Sequence, residues 1–375
     1  IDRSGPTLRS VLEVNPDALD IARSLDAERK AKGPRGPLHG IPVLIKDNID
    51  TADKMKTTAG SLALVNAPTP KEDAPLVVAL RKAGAVILGK TNLSEWANFR
   101  STRSSSGWSG RGLQTKNPYA LDRNPSGSSS GTGSSISANL ATVGIGTETD
   151  GSIVSPSNAN GLVGFKPTVG LVSRRGIIPI SHTQDTPGPM TRSVRDAALV
   201  LSAIAGIDPK DPATLMAKGK IKKDYTEGFE TASLKGVRLG LLKTYVSRHP
   251  EVEKVARKVL DRLSAEGAIL VDVELPERST FGEAEREVLS FEFKADLNAY
   301  LAERGGAMKT LKDLIDYNES HKDTAMPFFG QEIFLTAQAR GDLNDEAYLK
   351  ALAICAQGAR QDGIDAYLEK YKVEA

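Results

Sequence analysis

One stretch of this chain, residues 124–156, constrains its fold and chemistry more than any other. Small hydroxyl residues and glycines fill both ends of the stretch, and a short apolar segment lies between them. No ordinary surface linker needs that order of parts. The pattern predicts a loop, a helix, a short strand and a second loop. We expect the two loops, which carry Ser128 and Ser152, to meet in space beside Lys46.

Lys46 owes its place in this prediction to the strand that it ends. Five apolar residues precede it, and such a run is typical of a strand buried on both faces. A helix from Asp73 and a second apolar strand from Ala85 to Gly89 follow, which predicts a parallel βαβ unit. Functional residues in such sheets lie beyond the carboxyl ends of the strands. A lysine that on position alone would reach solvent therefore becomes a candidate functional group.

Other segments show the periodicity of helices and of a second βαβ unit. Asn15 suits an N-cap position, Leu19 is expected on the buried side of the helix that follows, and Val194 on the buried side of a later helix. Further helices are expected over 191–204, 250–265, 283–303, 308–320 and 345–371, with strands over 237–242 and 268–273. The alternation of strands and helices predicts an α/β fold.

Composition excludes several classes of function. The net charge is +2, which gives no electrostatic case for nucleic acid or an anionic membrane as partner. One cysteine, Cys355, excludes an intrachain disulfide, and no apolar run is long enough to span a bilayer. The four histidines are scattered, so no metal site is predicted, and His182 is expected to be structural or to line a pocket. Because the sequence starts at Ile1, a removed export signal would leave no trace, and localisation stays open.

Three common motifs can be set aside. Residues 127–131 match the G-x-S-x-G pattern around Ser129, but the polar segment before them, with two prolines, is no strand. A phosphate-binding loop would need Gly-Lys-Ser/Thr, and Ser134 follows Gly133 instead. The pair Gly144 and Gly146 lacks the third glycine of a dinucleotide fingerprint.

The remaining chemistry is that of a serine nucleophile with an unusual base. Without an obvious histidine partner, a serine hydrolase needs another proton acceptor, and a buried lysine can serve because burial favours its neutral form. The segment 147–152 carries a glycine-containing turn whose successive N–H groups can hold a developing oxyanion.

Several long motifs extend this interpretation to a family. Segments 40–48, 89–100, 127–133, 146–153, 161–173 and 185–190 together resemble the amidase signature family, and the variants at 94–100 and 147–152 are most similar to its peptide amidase branch. The resemblance implies the amidase signature fold, a large, mostly parallel, mixed β-sheet flanked by helices on both faces. It also implies one domain over residues 1–375, with the signature core at about 35–190.

The resemblance assigns a catalytic triad. Carried over by motif, the nucleophile is Ser152, the base is Lys46, and the bridging serine, which follows a cis peptide bond, is Ser128. Three serines stand in a row at 128–130, and the family spacing from Ser152 selects Ser128 rather than Ser129.

The same motifs imply residues around the triad. The backbone N–H groups of Thr149, Asp150 and Gly151, with Ser152 as a further donor, would form the oxyanion hole. Thr147 and Ser129 would support the bridging serine. For substrate binding we consider three residues, each with packing as an equal alternative: Trp96, Asn98 and Phe99.

The function implied is hydrolysis of an amide, through an acyl-enzyme, without metal or cofactor. A peptide amidase that removes C-terminal amides, or a related broad amidase, is expected, acting on a small-molecule or peptide amide. The alternatives are an amidase like those of amidotransferase complexes and a non-catalytic or inactive form of the fold. Val154 and Ser155 stand where many relatives have an arginine, and Asp150 where many have glycine. The family usually continues with further strands, which would be missing after Ala375; the oligomeric state stays open.

Overall fold

The computed structural model describes residues 1–242, 249–274 and 281–375, and divides them into two compact units. The first unit comprises Ile1–Thr226 and Glu292–Arg340, and the second comprises Glu227–Phe291 and Gly341–Ala375. The expected single domain over 1–375 stays a prediction. No helix within the described ranges is both long and apolar enough to cross a membrane.

A six-stranded sheet forms the centre of the first unit. Its strands lie in the order β1-β3-β2-β6-β8-β7. Two further short strands, β4 and β5, pair with each other. The strands of this unit are β1 Val11–Val14, β2 Pro42–Lys46, β3 Val86–Thr91, β4 Trp108–Ser109, β5 Leu113–Gln114, β6 Val143–Glu148, β7 Val163–Gly164 and β8 Thr186–Thr191.

The sheet is parallel at its centre and antiparallel at its edges. Strand β2 pairs in parallel with both β3 and β6, whereas β1, β8 and β7 pair antiparallel with their neighbours. This mixed α/β sheet confirms the predicted fold class. In the register of the centre, Lys46 lies opposite Thr91, so the carboxyl ends of β2 and β3 meet at one edge as expected.

Helices cover both faces of this sheet. Val43 and Ile45 point to one face, where they pack with apolar residues of α2 and α5, while Leu44 points to the other face and packs against Ile136 of α3. The alternation of side chains along β2 explains the division, and it sends Lys46 to the same face as Leu44. The helices described are α1 Ala18–Lys32, α2 Pro75–Lys82, α3 Ser130–Ser137, α4 Val154–Ala159, α5 Val194–Ile204, α6 Pro212–Leu215, α7 Pro250–Ala265, α8 Phe281–Arg304, α9 Leu311–Ser320, α10 Lys322–Ala325, α11 Glu332–Gln338, α12 Glu346–Ala356 and α13 Asp365–Tyr371.

Three local expectations were wrong. Asn15 does not cap α1; its Oδ1 accepts the Asp17 N–H at 3.0 Å in a turn before the helix, and its Nδ2 donates to Ile87 O at 2.8 Å. Leu19 is 61% exposed because Ala18 and Leu25 define the buried side of α1, about 100° away around the helix. Val194 is also exposed, since it begins α5 and the buried residues of that helix start at Ala197.

Strand β8 was missed because its sequence contains Pro187 and Pro189, and proline is disfavoured inside sheets. The structure shows how Pro189 is accommodated. Its carbonyl accepts the Phe165 N–H at 3.1 Å, so its nitrogen faces away from β6 and no bond to that strand is lost.

The second unit is a smaller assembly of helices and one strand pair. Strands β9, Arg238–Leu241, and β10, Ile269–Asp272, pair in parallel with α7 between them in sequence, which confirms the predicted strands and helix. The first part of α8 and α12 supply its buried cluster, which includes Val288, Phe291 and Tyr348. A π-helical segment with a kink at Gly363 joins α12 to α13.

Candidate active site

The amine of Lys46 lies at the end of β2 and contacts two residues. Its Nζ lies 2.8 Å from Ser128 Oγ, 2.8 Å from Thr147 Oγ1 and 3.2 Å from Thr147 O. The whole residue is buried. Three residues that are far apart in the sequence are therefore brought together by the parallel pairing of β2 and β6 and by the loop before α3.

Burial lowers the pKa of the Lys46 amine to about 7, because the charged form loses its hydration. The carboxylates of Asp185 and Glu148 act in the opposite direction, since a negative charge favours the ammonium ion. A lysine with this pKa is substantially neutral near pH 7, as a general base requires.

The loop that carries Ser128 is held by its backbone. The Gly127–Ser128 peptide bond is cis, and the Ser94 N–H donates to Ser128 O at 3.1 Å. A Cβ on residue 127 would lie 2.3 Å from Ser94 Oγ, which explains the glycine there. Ser128 and Ser152 both line one pocket.

Ser129 connects this loop to the loop of Ser152. Its N–H donates to Ser152 O at 3.1 Å, and its hydroxyl donates to Thr147 O at 3.1 Å while accepting the Thr147 N–H at 3.2 Å. Both ends of the stretch 124–156 are therefore joined directly, as the sequence predicts.

The carboxylate of Glu148 shapes the turn around Ser152. It accepts the N–H groups of Gly151 at 3.0 Å, Ile153 at 2.7 Å and Val154 at 2.9 Å. The N–H groups of Thr149 and Asp150 have no protein acceptor in the part of the chain that the structure describes. Of the three expected oxyanion donors, Gly151 is thus already engaged and the other two are free to bind a ligand.

Asp185 forms another wall of the same pocket. Its carboxylate accepts the Thr149 hydroxyl and the N–H groups of Ile180 at 2.8 Å and Ser181 at 3.0 Å. Burial raises the pKa of Asp185 to about 6, and these hydrogen bonds oppose the shift. The sequence motif 185–190 marked this segment, but it gave no role to the carboxylate.

The three residues considered for substrate binding surround one that lines the pocket, Ala97. Trp96 packs edge-on against Phe334 with ring centres 5.7 Å apart, and Phe99 lies 4.9 Å from Phe293. Trp96, Ala97 and Asn98 all have positive φ, so this turn is left-handed over three non-glycine residues, which sequence propensity disfavours. Substrate binding by Trp96, Asn98 and Phe99 stays a prediction.

His182 belongs to a cluster of possible metal ligands that the scattered histidines of the sequence do not reveal. One nitrogen or oxygen atom that could coordinate a metal, from each of His182, Glu292 and Asp296, lies within 4.8 Å of the other two. His182 Nδ1 lies 2.9 Å from Asp296 Oδ2, and Glu292 Oε2 accepts the Thr183 N–H at 3.1 Å. The hydrogen bond to Asp296 raises the pKa of His182. The expectation that the chain holds no metal stays a prediction.

Sequence reasoning placed Lys46, Ser128, Ser129, Thr147 and Ser152 in one site, and the structure brings them together. Sequence reasoning missed other residues that line the pocket, including Asn48, Ile178 and Asp185. Asn48 lies two residues after Lys46 at the end of the motif 40–48, which marked this segment but gave no role to the carboxamide.

Comparisons with known proteins identify the family of the chain. The sequence matches the family described as Amidase over residues 1–373. The structure of native peptide amidase from Stenotrophomonas maltophilia superposes with a TM-score of 0.96 at 52% identity, over 99% of this chain and 76% of that one.

Two sequence relatives carry different names. A probable amidase of Arabidopsis thaliana is 45% identical over all of this chain and 73% of its own length. A glutamyl-tRNA(Gln) amidotransferase subunit of Desulforapulum autotrophicum is 39% identical over 84% of this chain and 63% of its own length. On the family match, the structural likeness and these identities, the chain belongs to the amidase signature family and is an amide-hydrolysing enzyme.

Proposed function

We propose that this chain is a peptide amidase, which removes the C-terminal amide of peptides through a Ser152–Ser128–Lys46 triad. The observation that carries the proposal is the buried Lys46 amine, 2.8 Å from Ser128 Oγ, beside a pocket that Ser128 shares with Ser152. An uncharged amine in that position can take a proton that originates on the nucleophile.

The contacts of Lys46 support a defined direction for this proton route. A neutral amine has two N–H donors and one lone pair. Thr147 O can only accept, and Thr147 Oγ1 is placed to accept the second N–H at 2.8 Å. The lone pair is then left for the hydroxyl proton of Ser128, whose oxygen can accept the proton of Ser152.

The reaction follows from these positions. Ser152 Oγ attacks the amide carbonyl while its proton passes to Ser128 and the proton of Ser128 passes to Lys46. The N–H groups of Thr149 and Asp150, with that of Ser152, hold the oxyanion. The same relay returns a proton to the nitrogen, the C–N bond breaks and ammonia leaves. Water then repeats the route and releases the carboxylic acid from Ser152.

A peptide amide is favoured over a small charged amide. Val154 and Ser155, shortly after the proposed nucleophile, carry no positive charge that would bind a substrate carboxylate. Ile178 and Ile180 line the pocket and present apolar surface to an acyl group. The 52% identity to a protein named peptide amidase supports the same substrate class.

Ser152→Ala tests the nucleophile. The wild-type chain should release ammonia from peptide C-terminal amides faster than from short aliphatic amides, and a fluorophosphonate should label Ser152. The variant should stay folded, lose more than about 10³-fold in kcat/KM and lose labelling. Retained labelling at Ser129, or retained turnover, would contradict the assignment.

The amidotransferase relatives point to a second candidate function, which one assay tests. The 39% identity of the Desulforapulum autotrophicum subunit is below the 52% of the peptide amidase, which favours hydrolysis of peptide amides. Glutamine should therefore be a poor substrate. Ammonia release from glutamine that exceeds release from peptide amides would favour the amidotransferase-like function instead.

A further inference from the structure

Asn48 occupies an unusual position in the wall of the pocket. It lies two residues after Lys46 and is 3% exposed. Its Nδ2 donates to Thr147 Oγ1 at 3.0 Å, the same hydroxyl oxygen that contacts the Lys46 amine. One end of the carboxamide is therefore fixed on the catalytic side of the pocket.

The other end of the carboxamide lacks a partner. Asn48 Oδ1 is fully buried, and no hydrogen-bond donor reaches it within the part of the chain that the structure describes. A buried acceptor without a donor is costly, because it loses water and gains nothing in return. Native proteins seldom keep such an atom without a partner, which can be ordered water, an ion or a ligand.

The location of Asn48 indicates which ligand atom that is. The pocket that it lines also contains Ser128 and Ser152, so a bound amide places its reacting carbon and nitrogen in the same space. An oxygen acceptor needs an N–H or O–H donor. The carbonyl oxygen of the substrate cannot donate, the apolar residues around Ile178 offer no donor, and no hydroxyl group of the described pocket lining bonds to Asn48 Oδ1. The nitrogen of the scissile amide carries the N–H groups that fit.

We propose that Asn48 Oδ1 accepts a hydrogen bond from the nitrogen of the scissile amide and thereby selects amides over esters. The inference rests on the proposed function. In the tetrahedral intermediate this nitrogen has a lone pair and two hydrogens. Asn48 holds one N–H, which aims the lone pair at the Ser128 hydroxyl. The proton moves from the Lys46 ammonium through Ser128 to the nitrogen, the C–N electron pair stays on nitrogen, and neutral ammonia leaves.

The test compares two substrates that differ only in the leaving group. A peptide amide and the methyl ester of the same peptide form the same acyl-enzyme, but the ester has no N–H at the bond that breaks. In Asn48→Ala, loss of the bond to Thr147 should lower kcat/KM for both substrates, and kcat/KM for the amide should fall about 10- to 100-fold further than kcat/KM for the ester. The ratio of the two values is the readout.

Two further variants keep the test decisive. Asn48→Asp retains the acceptor oxygen but not the bond to Thr147, so rates on both substrates should fall together and the amide-to-ester ratio should stay near that of the wild type at high pH. Asn15→Ala is the matched control: Asn15 is also buried, but among the described residues its side chain bonds only to backbone groups. That variant should unfold more easily without changing the ratio.

The outcomes separate the two proposals. Equal loss on amide and ester in Asn48→Ala would assign Asn48 a structural role through Thr147 and overturn the inference, while leaving the peptide amidase proposal intact. If the wild-type chain cleaves neither substrate, both proposals fall. If Asn48→Ala does not fold, loss of the amide preference in Asn48→Asp overturns the inference on its own.

Discussion

Two lysines at one edge of the sheet, Lys46 and Lys90, are fully buried, and their surroundings differ. Ile45 lies opposite Lys90 in the register, so Lys90 points to the face opposite that of Lys46. There its Nζ donates to Ile49 O and to Thr57 Oγ1 at 2.9 Å. Burial lowers the pKa of Lys90 too, but the carboxylates of Asp47 and Asp50 favour its charge.

These surroundings separate a structural lysine from a catalytic one. Carboxylates favour the charged form of both lysines, but the Lys90 amine bonds to a backbone oxygen and to Thr57. The Lys46 amine instead contacts Ser128 and Thr147, which line the pocket. Position at a strand end did not by itself separate them in the sequence. The alternation of faces along a strand does, once the neighbouring helix on each face is known.

The pH dependence of turnover tests the role assigned to Lys46. A base must be neutral, so kcat/KM for a peptide amide should fall about tenfold for each pH unit below about 7 and level off above it. Asp185→Asn removes a negative charge that raises the pKa of Lys46. The midpoint of the profile should therefore move to lower pH in this variant.

Asp208→Asn serves as the control for this profile. Asp208 is also a buried carboxylate, but it bonds to Ser173 and Arg175 and is not among the charges that act on Lys46. Its replacement should leave the midpoint unchanged. A midpoint that stays fixed in Asp185→Asn, or moves upward, would exclude this arrangement of charges.

At the scale of elements, the site depends on how closely α3 approaches the strand edge. A Cβ on Gly131 would lie 2.3 Å from Ser10 O and 2.5 Å from Asn92 N and O, which are backbone atoms. The Gly131 N–H also donates to Asn92 O at 2.8 Å. Only glycine lets the helix begin at this distance, so the loop that carries Ser128 is held against β3.

Gly131→Ala should separate α3 from the end of β3. We expect a loss of about 1–3 kcal/mol in the free energy of unfolding, the usual cost of forcing extra volume into a packed site, measured by urea denaturation. Turnover should fall as well, because Ser128 precedes the helix by two residues. Gly36→Ala is the control: a Cβ there meets no atom within 4 Å, and stability should change by less than about 0.5 kcal/mol.

The periodicity of apolar residues explains which elements could be predicted from the sequence. Apolar runs predicted β2, α2 and β3 because each of these elements buries several apolar side chains in the core of the first unit. Strand β8 escaped because local propensity is set against proline, and only the Phe165 contact shows why Pro189 is tolerated. The left-handed turn at Trp96–Asn98 escaped for the same reason: tertiary packing, not propensity, maintains it.

The candidate site divides in the same way. Residues with distinctive chemistry in long motifs, Lys46 and Ser152, could be named from the sequence. Asn48 and Asp185 could not, because their importance comes from an unsatisfied oxygen and from a buried carboxylate. Neither property exists before the chain folds and water is excluded.

At the scale of the whole molecule, the described residues are unevenly buried. Helix α5 in the first unit has five buried residues, including Val200 and Leu201. Helix α7 in the second unit has none, although the sequence places valines at helical spacing along it; Val252, Val255 and Val259 are each more than half exposed. Ala256, Leu260 and Leu263 are only partly buried, so little tertiary packing supports the hydrogen bonds of this helix, which depend mainly on helix propensity and capping.

Hydrogen exchange should report this difference directly. Local opening exposes amides wherever few apolar contacts oppose it, so amides in α7 should exchange at least about 100-fold faster than those in α5 at the same pH and temperature. Both helices have a side chain that caps the first turn, Ser193 for α5 and His249 for α7, so capping is matched. Amides of β2, buried on both sides, serve as the reference for global unfolding. Protection in α7 equal to that in α5 would mean that packing, rather than solvent, covers the three valines. It would contradict a helix that depends mainly on propensity and capping.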